Sequence, residues 1–166
     1  MIDQSSRPVE LVEEAMTRHK DKVYRTALAI MQNATDAEDV FQDVFLKLHE
    51  KQPHFESVEH EAAWLIRVTV NRCKSMLRSS ERKLTEPLLE SFPAQTEAQH
   101  GLIELVSSLP PKYRTAIHLF YYEGYSIREI AEITKHKAST IGNHLARARR
   151  ILKLNLEKEE SPNERV

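Results

Sequence analysis

The sequence predicts an all-α protein of two small helical domains joined by a flexible linker. Leu, Ala, Glu, Lys and Arg dominate, and glycine occurs only 3 times in 166 residues, a composition that favours helices over sheets. Apolar residues recur at the spacing of a helix over most of the chain, but this periodicity lapses between Ser79 and about His100. We therefore expect one domain at residues 1–83, a linker at 84–99 and a second domain at 100–166.

The first domain has three predicted helices. The first runs from about Val9 to Met31. The second opens at the segment TDAE, where Thr35 and Glu38 have the spacing of a capping box. Its apolar face comprises Ala37, Val40, Phe41, Val44 and Leu48. The third runs from about Glu61 to Arg78 and has Cys73 on its apolar side, so this cysteine is expected in the core.

The opposite side of the third helix carries a stripe of polar and aromatic residues spaced by three and four. Its members are Trp64, Arg67, Asn71, Lys74 and Arg78. The cations can neutralise phosphates, the amide can bind a base edge, and the indole can stack on an unpaired base. This pattern favours a nucleic-acid-binding face, and the alternative is a solvated helix with a half-buried Trp anchor.

The second domain opens with a predicted short helix at Leu102 to Leu109. Pro110 and Pro111 then start a helix that runs to about Glu123, with Gly124 placed to end it. Ser126 and Glu129 repeat the capping-box spacing at the start of the next helix. The domain is therefore expected to contain several short helices in close succession.

The segment KASTIGNHLARARR, residues Lys137 to Arg150, forms the last predicted helix. Two short helices joined by a tight turn, the second of them basic, are typical of a helix-turn-helix. The small residues of its first half can enter a major groove, and its arginines can contact phosphates. The candidate DNA-contacting residues are Lys137, Ser139, Thr140, Asn143, His144, Arg147 and Arg150.

The charges are sorted along the chain although the net charge is only −1. Acids prevail between Asp36 and Glu61, cations between Arg67 and Lys83, and the block from Lys135 to Lys153 contains no acid. Blocks of opposite sign indicate separate surfaces for separate partners, and the basic ones can meet phosphate. The alternative for any single block is a solvated helix face.

Several function classes are disfavoured by what the sequence lacks. A single cysteine, Cys73, cannot form an internal disulfide and points to a reducing compartment. No segment resembles a signal peptide or a membrane span, so we expect a cytoplasmic protein. The 8 histidines show no metal-ligand spacing, and no catalytic triad or phosphate loop is present. We therefore expect no enzymatic activity, no metal or other cofactor, and no small-molecule substrate.

Four motifs, taken in order, resemble a known family. TDAEDVFQDVFLKL is similar to the segment of sigma domain 2 that docks on core RNA polymerase, and WLIRVTVNRCKSMLR to the segment that reads the minus-ten promoter element. LPPKYRTAIHLFYYEGYSIREIAEI resembles the start of sigma domain 4, and STIGNHLARARRIL its recognition helix. The resemblance covers nearly the whole chain and identifies it as similar to the extracytoplasmic-function (ECF) group of the sigma-70 family.

The resemblance implies partners and residue roles. Core RNA polymerase would bind through its β′ clamp coiled coil and its β flap. The residues implied in docking on the β′ clamp are Asp39, Gln42, Asp43 and Lys47. The stripe around Asn71 would contact the minus-ten element, the loop from Phe55 to His60 would hold a flipped base, and the last helix would contact the minus-thirty-five element. An anti-sigma factor, often membrane-bound, is the further partner expected from the group.

The chain departs from the family pattern around its last helix. Lys135 and His136 stand where glycine and an aliphatic residue are usual, and Lys137 stands where a capping serine is frequent. Ser139 or Thr134 is therefore expected to cap the helix instead. Gly142 and His144 occupy positions that are usually basic, so duplex reading is expected to rest on four residues: Ser139, Thr140, Asn143 and His144.

A helix-turn-helix transcription regulator that acts without docking on core polymerase is the alternative function. Such a protein would explain the second domain but not the acidic face or the stripe on the third helix. Co-purification with core polymerase distinguishes the two, because a plain regulator binds duplex DNA alone.

Overall fold

A computed structural model describes residues 7–80 and 104–160, which fall in two compact units. The helices of the first unit are α1 (Arg7–Met31), α2 (Ala34–Lys51) and α3 (Val58–Ser80). The second unit contains a helical turn at residues 104–107, α4 (Pro111–Ile117), a π-helical turn (His118–Tyr122), α5 (Ile127–Thr134) and α6 (Ala138–Glu160). No strand occurs in the two described ranges, and the all-α prediction is confirmed. The predicted linker at 84–99 lies outside them.

The three helices of the first unit pack against one another around an aliphatic core. The largest fully buried side chains of this core are Val23, Ile30, Val40, Val44, Leu48, Leu65 and Ile66. Cys73 is also fully buried, as its position on the apolar side of α3 predicted. Burial raises the pKa of its thiol to about 12, because the apolar core disfavours the thiolate. Cys73 is thus a packing residue and not a reactive thiol.

A buried polar contact joins α1 to the start of α3. His19 Nε2 lies 2.9 Å from Glu61 Oε1, and both side chains are almost completely buried. Arg18 contributes a second contact from its half-exposed guanidinium, with Nη1 at 3.2 Å from the same oxygen. Because buried polar groups must be hydrogen-bonded to be tolerated, this contact stabilises the packing of the first turns of α3 against α1.

The predicted capping box at the start of α2 is wrong. The helix begins at Ala34, and Asn33 is its N-cap, with Oδ1 accepting a hydrogen bond from the Asp36 amide at 3.0 Å. Asn33 has an extended backbone, which holds its short amide side chain over the first turn. Thr35 already lies inside that turn, so it is not placed to cap. Asn33 and Asp36 have the same three-residue spacing as Thr35 and Glu38, which is why the sequence pattern was ambiguous.

In the second unit, the predicted signals for helix starts and ends agree better with the structure. Pro111 starts α4, where its missing amide leaves no hydrogen bond unmade. Gly124 follows the π-helical turn with φ +74°, a conformation that side chains rarely adopt. The Ser126 hydroxyl accepts the amide of Glu129 at 3.1 Å and caps α5, as predicted. These signals lie close together in the sequence, and local chemistry is enough to set them.

The turn between α5 and α6 differs from the expectation. Lys135 occupies the left-handed region at φ 55°, and the His136 amide donates to the Ala131 carbonyl at 3.0 Å. A lysine in this conformation costs roughly 1–2 kcal/mol relative to glycine. Neither proposed cap lies at the boundary: Thr134 donates its hydroxyl to Ile130 O within α5, and Ser139 is inside α6, which begins at Ala138. The expectation that one of them caps α6 is therefore wrong.

Candidate functional site

The outer face of α2 brings the predicted docking residues together. Asp39, Gln42 and Lys47 are exposed, and Asp43 is half-exposed. Successive members of this set are three, one and four residues apart, which places them on one side of the helix. Leu46 lies on this same face with 56% of its surface exposed. The sequence pattern did not single out Leu46, because a leucine is common in an amphipathic helix and its exposure shows only in the structure.

Asp43 does not stand alone on this face. Its Oδ2 accepts a hydrogen bond from Arg72 Nε at 2.6 Å, which joins α2 to α3. Both side chains remain more than two-fifths exposed. The pair lies in an open groove between the two helices, lined by Asp43, Lys47, Val68, Asn71, Arg72 and Ser75. The sequence pattern missed Arg72, which is one position away from the stripe that contains Asn71.

The predicted stripe on α3 occupies one continuous helix but is unevenly exposed. Asn71 and Arg78 are exposed, whereas Trp64, Arg67 and Lys74 are half-buried. Burial, together with the nearby Arg78 charge, lowers the pKa of the Lys74 ammonium. The exposed part of the stripe is thus its central amide, Asn71, and its last cation, Arg78, whereas the Trp64 indole is half-buried.

An aromatic cluster surrounds the start of α3. The Phe55 ring lies edge-on to His60, with ring centroids 5.5 Å apart, and edge-on to Trp64 at 5.8 Å. The Ser57 hydroxyl accepts the His60 amide at 3.0 Å, so α3 begins at Val58. The predicted start near Glu61 is therefore late by about one turn, because the serine cap was not recognised. Half of the loop expected from Phe55 to His60 is helical.

The recognition helix α6 separates its predicted residues into two groups. Ser139, Asn143, Arg147 and Arg150 are exposed and spaced by four, four and three, which places them on one outward face. Lys137 is exposed just before the helix, and Thr140 is half-buried. Ile141, Leu145 and Ala148 are buried on the opposite side.

His144 lies apart from the outward face of α6. It is half-buried, with its ring edge-on to Tyr113 at 5.5 Å between centroids and to His136 at 6.1 Å. These contacts join the recognition helix to α4 and to the turn that precedes it. The structure thus gives His144 a packing environment beside the predicted reading face.

Gly142 is not required by the fold. It has helical backbone, and a Cβ added there would meet no atom within 4 Å. The position is half-buried by its own neighbours, and no close approach to another helix occurs there. A side chain at this position would therefore project beside Asn143 without disturbing the core.

The described part of the chain offers no arrangement for metal binding, since residues 7–80 and 104–160 contain no group of three or more His, Cys, Asp or Glu side chains that could hold an ion. None of the helices placed in the structure combines the length and the apolar character that crossing a membrane requires.

Comparison with protein-family models finds two matches in chain order. Sigma-70 region 2 matches residues 15–83, and Sigma-70, region 4 matches residues 99–152. The first match contains the α2 face and the α3 stripe, and the second contains α4, α5 and α6 up to residue 152. The candidate surfaces therefore lie inside the two matched regions.

Individual relatives agree with these matches. The chain is 29% identical over 142 residues to the ECF RNA polymerase sigma factor SigM of Mycobacterium tuberculosis, covering 82% of this chain and 72% of the relative. It is 28% identical over 155 residues to the RNA polymerase sigma factor SigV of Bacillus subtilis, covering 90% and 93%.

A solved structure is also similar. The sigma factor RpoE of Bartonella quintana, crystallised in complex with the anti-sigma factor NepR, has a TM-score of 0.76 and 25% identity, covering 87% of this chain and 96% of RpoE. With both regions matched in order, and sigma factors among its relatives, this chain belongs to the sigma-70 family of RNA polymerase sigma factors, within the ECF group.

Proposed function

We propose that this ECF sigma factor docks on core RNA polymerase through the outer face of α2 and directs it to promoters through α3 and α6. The observation that carries this proposal is that the exposed polar side chains of α2, α3 and α6 differ in type. An acidic and amide face lies on α2, an amide and cation face on α3, and a polar and arginine face on α6. Each suits a different partner, which is what promoter-specific initiation requires.

Docking on the polymerase is assigned to Asp39, Gln42, Asp43 and Lys47. Carboxylates and an amide can form charge-assisted hydrogen bonds with arginines of the β′ clamp coiled coil. The exposed Leu46 adds an apolar contact at the same face, since interfaces combine an apolar centre with a polar rim. The second unit would in turn meet the β flap.

Promoter binding is assigned to two surfaces. On α3, Asn71 and Arg78 would contact the opened minus-ten strand, with Arg67 and Lys74 contributing charge and Trp64 offering an aromatic surface beside Phe55. On α6, Ser139 and Asn143 lie nearer the helix start, where base edges are read. The remaining assigned contacts to the minus-thirty-five element are Lys137, Thr140, His144, Arg147 and Arg150.

Regulation would come from an anti-sigma factor. RpoE of Bartonella quintana was crystallised with one, NepR, and we extend that kind of partner to this chain. The protein would act in the cytoplasm or be held at the membrane through this partner. Its role in initiation uses binding alone, with no catalysis, cofactor or small-molecule substrate of its own.

Transcription in vitro tests the proposal. Purified core polymerase with this protein, supplied with fragmented genomic DNA, is expected to give discrete sequence-specific starts that core polymerase alone does not give. The protein should also co-purify with core polymerase. Specific binding to duplex DNA without any core binding would instead support the alternative, a regulator that acts without docking.

A further inference from the structure

We propose that Asp43 and Arg72 form an exchangeable ion pair that couples polymerase docking to promoter binding: when Asp43 is taken into the polymerase interface, Arg72 is released as an additional cation for promoter phosphate. This inference rests on the proposed function of α2 and α3. It adds Arg72 to the promoter-binding residues, with its contact to phosphate made when the polymerase has engaged Asp43.

The geometry places the two residues at the junction of the two surfaces. Asp43 belongs to the docking face of α2, and Arg72 follows Asn71 on α3. The 2.6 Å contact between Arg72 Nε and Asp43 Oδ2 joins them across the groove that Asn71 and Ser75 also line. One carboxylate and one guanidinium, each assigned to a different partner, therefore neutralise each other in the free protein.

The exposure of the pair makes the exchange possible. Side chains that are 41% and 44% exposed are accessible to a partner without unfolding or repacking of the core. An exposed pair of this kind is held weakly, because water and salt screen it. A polymerase arginine can thus replace Arg72 on Asp43, and a DNA phosphate can replace Asp43 on Arg72.

Linkage makes the effect reciprocal. If docking on Asp43 frees Arg72 for phosphate, then phosphate binding to Arg72 must favour docking on Asp43 by the same factor. The stabilisation of exposed ion pairs limits this factor to roughly two- to five-fold. The ion pair would therefore weaken DNA binding by the free sigma factor and favour binding to promoter in the presence of polymerase.

The first experiment measures DNA binding by the full chain without polymerase. Asp43→Asn is titrated against a fluorescently labelled single-stranded DNA oligonucleotide at low ionic strength, and its affinity is expected to be roughly two- to five-fold tighter than that of the wild type. Asp39→Asn is the matched control, since it removes one charge from the same helix face without touching Arg72. Its gain should be smaller. Equal gains in the two variants would overturn the proposal.

The double variant isolates the pair. In an Arg72→Gln background, Asp43→Asn should give no more gain than Asp39→Asn gives in that same background, because no cation remains to be released. A gain that persists in full without Arg72 would show that Asp43 acts through its charge alone, and the ion pair would have no role.

The second experiment measures binding to core polymerase from the same organism. Arg72→Gln should tighten docking more than the control Arg78→Gln, which removes an equal charge from α3. An affinity equal to that of the control would overturn the coupling, since the ion pair would then have no effect on docking. A weaker affinity would also overturn it, since Arg72 would then help to orient Asp43 for the polymerase. A wild-type chain that fails to bind core polymerase would contradict the proposed function itself, whereas the DNA titration still reports on the pair.

Discussion

Arg149 Nε donates a hydrogen bond to the Tyr121 hydroxyl at 2.7 Å, which holds one arginine of the recognition helix against the π-helical turn. The guanidinium also lies over the Phe120 and Tyr121 rings, 5.9 Å and 5.7 Å from their centroids. Arg147, Arg149 and Arg150 are all exposed. The arginine-rich end of this helix thus divides its exposed cations between Arg149, which contacts the π-helical turn, and Arg147 and Arg150, which lie on the outward face.

This division predicts different outcomes for two alanine substitutions. Arg147→Ala should weaken binding to duplex DNA and reduce the slope of log affinity against log salt by about 1, as expected for one lost phosphate contact. Arg149→Ala should leave that slope nearly unchanged and destabilise the second unit by about 1 kcal/mol, because a hydrogen bond and cation–π contacts are lost. Salt titrations and thermal unfolding of both variants check this. Equal slopes in the two variants would contradict it.

Alanine substitutions at two of the chain's glycines are expected to change stability in opposite directions. Gly142→Ala should stabilise the protein by about 0.5–1 kcal/mol, since the position is helical and open. Gly124→Ala should destabilise it, because alanine is strained at φ +74°. Denaturant unfolding measures both changes.

A lysine at the same open position predicts a DNA-binding change. Gly142→Lys should increase non-specific DNA affinity, because the added cation lies beside the outward face of α6. The measurement is affinity for a duplex of arbitrary sequence, compared with Gly142→Ala as the uncharged control. Weaker binding would instead show that Gly142 is needed for close approach to DNA.

The cap of α2 gives a direct test of the structure against the sequence pattern. Asn33→Ala should cost about 1 kcal/mol, because the Asp36 amide loses its acceptor. Thr35→Ala should be close to neutral, since Thr35 lies within the first turn. Chemical denaturation of both variants measures the difference. A larger cost at Thr35 would reinstate the capping box.

Docking through α2 predicts the effect of a charge reversal. Asp43→Arg should abolish binding to core polymerase, because it replaces a carboxylate of the docking face by a cation. The circular dichroism spectrum should stay helical, because loss of an exposed ion pair costs at most about 1 kcal/mol of folding free energy. Glu38→Arg is a matched control, since it makes the same charge change about 140° around the helix. Retained core binding by Asp43→Arg would remove Asp43 from the docking face.

The buried thiol predicts a dependence of stability on pH. Because the pKa of Cys73 is raised to about 12 in the folded state, the unfolded chain loses this proton near pH 9 while the folded chain keeps it. The unfolding free energy should therefore fall as pH rises between about 9 and 12, by up to about 1.4 kcal/mol per pH unit from this group. Cys73→Ala should show a shallower fall over that range. Parallel curves for the two proteins would contradict the assignment.

The sequence predicted the helices and their buried sides because that information is local. The apolar residues of α2 and α6 recur every three or four positions, and the Ser126 cap lies three residues from the amide that it accepts. The same locality explains the errors. Asn33 and Thr35 offer competing caps with identical spacing, and only backbone geometry selects between them.

By itself, the sequence determined the helical class, the apolar sides of α2 and α6, and a resemblance specific enough to name the family. The tertiary structure decided how the cations and acids are paired. Asp43 and Arg72 are 29 residues apart, His19 and Glu61 are 42 apart, and Tyr121 and Arg149 are 28 apart. No periodicity relates such positions, because they meet only when separate helices pack, and that packing decides which charges stay exposed for a partner.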